Sequence, residues 1–293
     1  MNALDRRAWI AGSVALLAMP RARAQNSPAP SADTVRKLRT RFAVNGEIWW
    51  GGVPFVERIA KAAEHGFRSF EFWPWRGKDL AAIEKTSKDL GVEIAQFTGW
   101  GFTPGMNDPA NHAKVVEEVR ESCKVANRLA CTRMTVVAGN DREGVSQEAM
   151  HAEVIKALEL CAPIARDHGV TLILEPMNIR VDHKGHCLYG SAPAIRICQA
   201  VNSPFVKINW DLYHMHITEG DLCGHLREGK DWLGYVQVAD HPGRHEPGTG
   251  EVHFNRVFKE LAAIGYTGPV GLECWPIEGE AKAIERVAAA DQW

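Results

Sequence analysis

From Phe42 onward, short apolar runs alternate with longer amphipathic stretches as far as the C-terminus. Eight runs have the length and composition of buried strands: 42–45, 67–73, 92–97, 133–137, 170–175, 206–211, 233–238 and 269–273. Between them the periodicity predicts helices, among them 54–65, 111–129, 147–168, 192–201 and 254–264. Several of these meet the next run through one glycine: His65-Gly66-Phe67, Leu90-Gly91-Val92, His168-Gly169-Val170 and Ile264-Gly265-Tyr266. Glycine accepts the left-handed backbone that closes a helix, so the chain turns at once into a strand. A repeated helix-glycine-strand unit makes the sheet parallel, because parallel neighbours need a crossover connection. Eight such units in about 250 residues close most economically as a single-domain α/β fold, the (β/α)8 TIM barrel. A doubly wound open sheet is the alternative, but no glycine-rich phosphate loop follows the first run to support it.

Residues 1–24 stand apart from this pattern. Arg6-Arg7 precede an apolar run from Ala8 to Met19, and Ala22-Arg23-Ala24 forms a small-x-small cleavage site. The segment looks like a twin-arginine signal peptide, and its apolar run is shorter than the roughly 20 residues of a spanning helix. The expected location is periplasmic or exported, with no stable membrane span in the mature form; an uncleaved interfacial anchor is the competing reading. Residues 25–40 read as leader and N-terminal extension, rich in Pro, Ser and Ala from Gln25 to Ser31, and 41–293 as the barrel.

Charge narrows the class of partner. The whole chain carries −2, and residues 1–24 hold four Arg and one Asp, so the remainder carries −5. No basic surplus is left for nucleic acid. The seven cysteines are odd in number and contain no Cys-x-x-Cys pair, so they read as small buried residues and not as a disulfide framework.

The informative feature is where the late apolar runs stop. Leu172-Ile173-Leu174 ends in Glu175, Ile208-Asn209-Trp210 in Asp211, Gly234-Tyr235-Val236 meets Gln237, and Val270-Gly271-Leu272 ends in Glu273. In a parallel barrel these ends share the face where active sites are built. Singly, such a carboxylate is as well explained by a helix N-cap or an arginine partner. Together, three carboxylates and an amide oxygen repel unless a cation sits among them. Oxygen donors favour a hard divalent ion, Mg²⁺ or Mn²⁺, with Glu175, Asp211, Gln237 and Glu273 as ligands. His214 and His216 leave a nitrogen ligand and a softer metal open. His214 alone reads more safely as a packed loop histidine, and Arg244 equally as a solvated charge, although Pro242-Gly243-Arg244-His245-Glu246-Pro247 is a tight, shaped loop. Trp49, Trp50, Trp73, Trp75, Trp100 and Trp275 follow strands one, two, three and eight, as cover for the barrel mouth or as a wall for a sugar or small polyol. Glu71, Asn45 and Gln96 lie near early strand ends without an assigned role.

The motifs Leu174-Glu175-Pro176-Met177-Asn178, Asp211-Leu212-Tyr213-His214-Met215-His216, Glu219-Gly220-Asp221-Leu222, Val236-Gln237-Val238-Ala239 and Pro242 to Pro247 resemble the hydroxypyruvate isomerase family. That family belongs to the xylose isomerase-like barrels, together with the ketose 3-epimerases, and the resemblance spans residues 41–276. It implies an isomerase that interconverts a small α-hydroxy aldehyde and ketone, such as hydroxypyruvate and tartronate semialdehyde. It also implies Glu175 and Glu273 as acid/base pair, metal positions at Glu175, Asp211, Gln237 and Glu273, and substrate contacts from His214 and Arg244; some isomerases of the family are described without a metal requirement. The family usually has glutamine at His216, an aromatic at His186, and Tyr and Lys at Cys274 and Trp275. Losing that lysine favours a neutral, sugar-like substrate. The rivals are a metal-dependent ketose 3-epimerase or other exported sugar isomerase, an abasic-site endonuclease, disfavoured by the −5 charge, and a non-catalytic periplasmic sugar-binding protein. Strand-end loops of such barrels often pack in dimers or tetramers, so a homo-oligomer is left open.

Overall fold

The computed structural model describes residues 32–293. The proposed signal segment and residues 25–31 of the leader lie outside the described residues. Eight parallel strands pair in sequence order: β1 (Phe42–Asn45), β2 (Ser69–Phe72), β3 (Glu93–Trp100), β4 (Arg133–Val137), β5 (Thr171–Glu175), β6 (Val206–Asp211), β7 (Leu233–Val238) and β8 (Val270–Leu272). Pairing of β8 with β1 closes them into a barrel. A short α1 (Ala32–Arg36) precedes them. The outer layer is α2 (Phe55–Glu64), α3 (Leu80–Leu90), α4 (His112–Arg128), α5 (Gln147–His168), α6 (Ser191–Val201), α7 (Leu212–Thr218), α8 (Leu222–Gly229), α9 (Phe254–Ala263) and α10 (Glu280–Ala290).

Local chemistry explains the boundaries. Gly66, Gly91, Gly169 and Gly265 all take positive φ where helix gives way to strand, as the glycine spacing predicts. Ser146 and Asp79 cap α5 and α3 by accepting the Ala149 and Ala82 amides. The strand expectation for β3 stops three residues short, because Thr98 and Trp100 continue the ladder with β4 across a register shift. Both β6 and β7 keep their expected limits, but their connection splits into α7 and α8. Among the described residues no helix is long and apolar enough to cross a membrane. The seven cysteines are free and all but Cys223 are buried.

Alternation along each strand sorts the interior into layers. Side chains two residues apart share a face, and barrel layers draw on alternate strands. Ala43, Ala95, Ile173 and Tyr235, from the odd strands, form one small apolar cluster. Above it the even strands contribute Glu71, Thr135, Asn209 and Gly271, and this layer is polar. Glu71 accepts from Asn45, Gln96 and Gln237 at 3.0, 3.2 and 3.1 Å. Asn209 donates to Gln237 Oε1 at 2.5 Å, and Thr135 donates to Gln96 at 2.9 Å. A Cβ on Gly271 would lie 2.4 Å from Glu71 Oε2, so the missing side chain of β8 is the space that Glu71 fills.

Candidate active site

Two residues further along each strand, the same alternation delivers Glu175 on β5, Gln237 on β7, Asp211 on β6 and Glu273 just past β8, all buried. Asp211 is both an N-cap and a site residue. Its Oδ1 accepts the Tyr213 amide at 2.8 Å to start α7, and its Oδ2 is left to face Arg244. Nη2 of Arg244 lies 3.2 Å from that oxygen and 2.9 Å from Glu273 Oε1, so one nitrogen joins the two carboxylates. Glu175, His214, Arg244 and Glu273 line one cavity. Gln237 stands beside Asp211 in the β6–β7 register, but its amide faces the layer below, held by Asn209 and Glu71.

The loop after β7 carries Arg244 into this cluster. Buried Asp240 accepts the amides of His241, Gly248, Gly250 and Val252, which folds residues 240–252 around one carboxylate. Buried Glu246 accepts from Arg286 at 2.6 Å and from the Ile277 amide, tying the loop to the chain beyond β8. Gly243 and Arg244 both have positive φ, a backbone that costs a non-glycine residue about 1–2 kcal/mol and persists only where surrounding contacts impose it. The guanidinium stacks over Tyr213 and Trp275 at 5.0 and 5.6 Å. Its Nε is buried without a partner, a donor left for an incoming oxygen.

Charge at this point is out of balance. Burial, with Glu273 and Asp211 nearby, pushes the Glu175 carboxyl well above the usual carboxylate range. Burial raises Asp211 and takes Glu273 up to about 8, in both cases against the opposing pull of Arg244. Three buried carboxylates against one cation is the arrangement that a divalent ion relieves. Ligand atoms of Glu175, Asp211 and His214 lie within 4.8 Å of one another, so this buried group can hold a metal ion.

His214 is oriented by Asn178. The Asn178 Oδ1 accepts the Val181 and Asp182 amides, so its Nδ2 is the atom that faces His214 Nδ1, at 2.7 Å. Assigned from that network, His214 Nδ1 is an acceptor and the proton sits on Nε2, 3.4 Å from Asp211 Oδ2. Burial and the Arg244 charge hold the imidazole well below its ordinary pKa, so it is neutral. In this state Nε2 donates to an oxygen, and it would become a ligand only by giving up that proton.

Of the six tryptophans expected near the mouth, Trp73, Trp75, Trp100 and Trp275 line the cavity. Trp49 does not: it is fully buried and donates to the Leu272 carbonyl at 3.2 Å. Trp50 packs beside it and against His65. Both belong to the first loop, which folds onto the barrel wall. The cavity also holds His183 and Asp182, which the sequence reading passed over; His183 stacks on Phe102 at 5.0 Å and meets the His214 ring edge-on at 5.2 Å. Their signal was proximity to Asn178 in the loop after β5. Glu71, Asn45 and Gln96 form the polar layer beneath.

Residues 59–290 match the family described as xylose isomerase-like TIM barrel. The hydroxypyruvate isomerase of Escherichia coli K12 is 29% identical over 242 residues, covering 80% of this chain and 93% of that one. A putative hydroxypyruvate isomerase of Streptomyces coelicolor is 32% identical over 254 residues, covering 80% and 91%. A solved structure titled AP endonuclease, family 2, from Brucella melitensis superposes with a TM-score of 0.81 at 28% identity, over 85% of this chain and 98% of that chain. An eight-stranded parallel barrel, a buried carboxylate cluster at its strand ends and these matches lead to one conclusion: the chain belongs to the hydroxypyruvate isomerase family, a group of isomerase enzymes within the xylose isomerase-like TIM barrels.

Proposed function

We propose that the protein isomerises an α-hydroxy carbonyl compound of the sugar or keto-acid class by proton transfer through an enediolate. The observation that carries this reading is that Glu175, Glu273, His214 and Arg244 line one and the same cavity. One glutamate removes the proton beside the carbonyl, the other returns one to the carbonyl carbon, and the hydroxyl proton passes to the former carbonyl oxygen, so aldehyde and ketone change places. A carboxylate raised toward neutrality suits this task, because it is a stronger base than an ordinary one and still releases its proton. His214 Nε2 and the unpaired Arg244 Nε donate to the substrate oxygens, where enediolate charge gathers. The tryptophan wall keeps water from the reacting carbon.

In this reading Glu175, Asp211, Gln237 and Glu273 would hold the divalent ion, Mg²⁺ or Mn²⁺. When bound, such an ion supplies polarisation of the carbonyl and offsets negative charge on the oxygens. Returning the proton to the opposite face of the same carbon would instead give an epimer, so product stereochemistry separates the isomerase from a ketose 3-epimerase. We also propose that residues 1–24 direct export by the twin-arginine pathway to the periplasm.

The decisive experiment is loss of substrate C–H label into water, or its exchange with deuterium, in the presence of Mn²⁺, with hydroxypyruvate and small ketoses as substrates. The isomerase gives washout, and Glu175→Gln or Glu273→Gln lowers it by about 10²- to 10⁴-fold with the fold intact. A sugar-binding protein without catalysis gives none, and a double Glu→Gln variant with full activity would falsify the assignment.

A further inference from the structure

The cavity above the carboxylates is large and its two ends differ. It is open at its mouth and takes in about 840 Å³. At about 30 Å³ per water-sized group, that is room for on the order of 28 such groups. A three-carbon keto acid brings about seven heavy atoms, so it would leave most of the space to water, which a proton-transfer site excludes. A ketohexose brings about twelve, and a ketohexose carrying a second sugar ring about 23.

The lining agrees with the larger occupant. The floor is polar: Glu175, His214, Arg244 and Glu273. The walls and rim are aromatic, with Trp73, Trp75, Trp100, Phe102 and Trp275 around the same space. Trp275 is 44% exposed at the rim, one of few large apolar side chains so placed. An exposed indole beside a cavity is a stacking platform for the apolar face of a sugar ring. Its backbone donates to the Arg244 carbonyl and accepts from His245, while its indole stacks on Arg244 and keeps a free edge towards the cavity mouth.

Charge argues in the same direction. Glu175, Asp211, Glu273 and Asp182 surround the one guanidinium of Arg244, whose Nη2 is already engaged by two carboxylates. Arg76, at the rim, is paired with Glu118. Lys114, in the same lining, is exposed and outside any ion pair among the described residues. Arg244, the cation of the floor, is thus already shared by two carboxylates, and the described residues place no second cation there to receive a substrate carboxylate.

We infer that the substrate is a neutral sugar larger than a triose or tetrose, a ketose or aldose bearing a second ring, whose α-hydroxy carbonyl end lies on the floor and whose second ring stacks on the tryptophans at the rim. This rests on the isomerase reading and names the substrate class of that site. The second ring contributes through stacking area and displaced water, so it acts on KM more than on the chemical step.

The test uses the full chain with Mn²⁺ in D₂O and three substrates: hydroxypyruvate, D-fructose, and isomaltulose, a fructose with a glucosyl ring on its far hydroxyl. Tryptophan fluorescence, read without metal, follows binding of each independently of turnover. The expected result is saturable quenching by isomaltulose and C–H exchange with kcat/KM at least tenfold above hydroxypyruvate. Trp275→Ala should then raise KM for isomaltulose by about tenfold and narrow its advantage over fructose. Exchange with hydroxypyruvate at equal or higher kcat/KM overturns the inference and leaves the isomerase reading standing. Quenching by isomaltulose with no exchange on any substrate supports the two-ring site and overturns the isomerase reading. Neither quenching nor exchange overturns both.

Discussion

The Nδ2 of Asn178 donates to the Nδ1 of His214 across 2.7 Å, and this one bond decides which nitrogen of the imidazole faces the reaction. Asn178 has no freedom to turn, because its oxygen is taken by two backbone amides. Asn178→Asp replaces the donor by an acceptor and moves the His214 proton to Nδ1, leaving a lone pair where a donor stood. A buried hydrogen bond of this kind is worth about 1–3 kcal/mol, so kcat/KM should fall by about 10- to 100-fold; stability falls as well, because Asn178 also donates to Asp182 Oδ2 at 2.8 Å and the new carboxylate would repel it. An unchanged kcat/KM in the folded variant removes His214 Nε2–H from the mechanism.

Addition of Mn²⁺ or Mg²⁺ to metal-free protein should raise the melting temperature, because the folded cluster binds the ion and the unfolded chain does not. At a hundredfold excess over Kd the gain is about 2.7 kcal/mol, or about 5 °C or more for a domain of this size. The shift should vanish in Asp211→Asn and reverse with chelator. Calorimetric scans that superimpose with and without ion would leave Arg244 as the cluster's sole counter-charge.

Gly271→Ala should be costly out of proportion to one methyl group. Its Cβ would fall 2.4 Å from Glu71 Oε2, and Glu71 is locked by three amide donors. Overpacking of this type costs about 1–3 kcal/mol. Combining it with Glu71→Ala removes the overlap, so the double variant should be less destabilised than the sum of the singles by at least about 1 kcal/mol in urea melts. Additive costs would mean that the two residues do not share the space.

His186 makes the protein sensitive to acid. Burial lowers its pKa to about 4, and its Nε2 has no hydrogen-bond partner. As the pH falls from about 6.5 towards 4, the unfolded chain takes up a proton that the folded ring refuses, so stability is lost over that window, by about 3 kcal/mol at its end. His186→Phe, beside Phe102, removes that loss. Its advantage over the wild type should grow steadily from pH 7 to pH 4.5 in denaturant titrations, and parallel curves for the two proteins would contradict it.

Export has its own readout. Under the proposed export, Arg6→Lys together with Arg7→Lys should leave the protein in the cytoplasm at full length, whereas the parent chain should appear in the periplasm shortened to begin near Gln25. Periplasmic recovery of both alike, by fractionation and N-terminal sequencing, would point to a different route.

Much of the barrel was legible in the chain because its signals are local. The runs at 42–45, 133–137, 206–211 and 233–238 became strands with those limits, since their apolar side chains and flanking turns leave no other buried conformation. The glycines before β2, β3, β5 and the segment leading to β8 announced helix ends for the same reason: only glycine takes that backbone cheaply. The placement of Glu175, Asp211 and Glu273 at strand ends also followed, because a parallel barrel sends all such ends to one face.

What the chain alone left undecided depends on atoms that meet across the fold. Glu71 was a residue without a role until β2 stood opposite Gly271 on β8, with Gln237 between, 166 positions away in sequence. Gln237 was read with the carboxylates, yet the inward layer formed by Asn209 and Glu71 holds its amide. Trp49 and Trp73 both follow strands, and only the path of the first loop buries one and leaves the other on the cavity. The sequence by itself determined the strands, the barrel and the face that bears the acids, since those rest on backbone conformation and burial along the chain. The tertiary structure decided which acids share Arg244, which nitrogen of His214 carries its proton and how much room lies above them, since each is set by distances between residues that sequence order does not bring near.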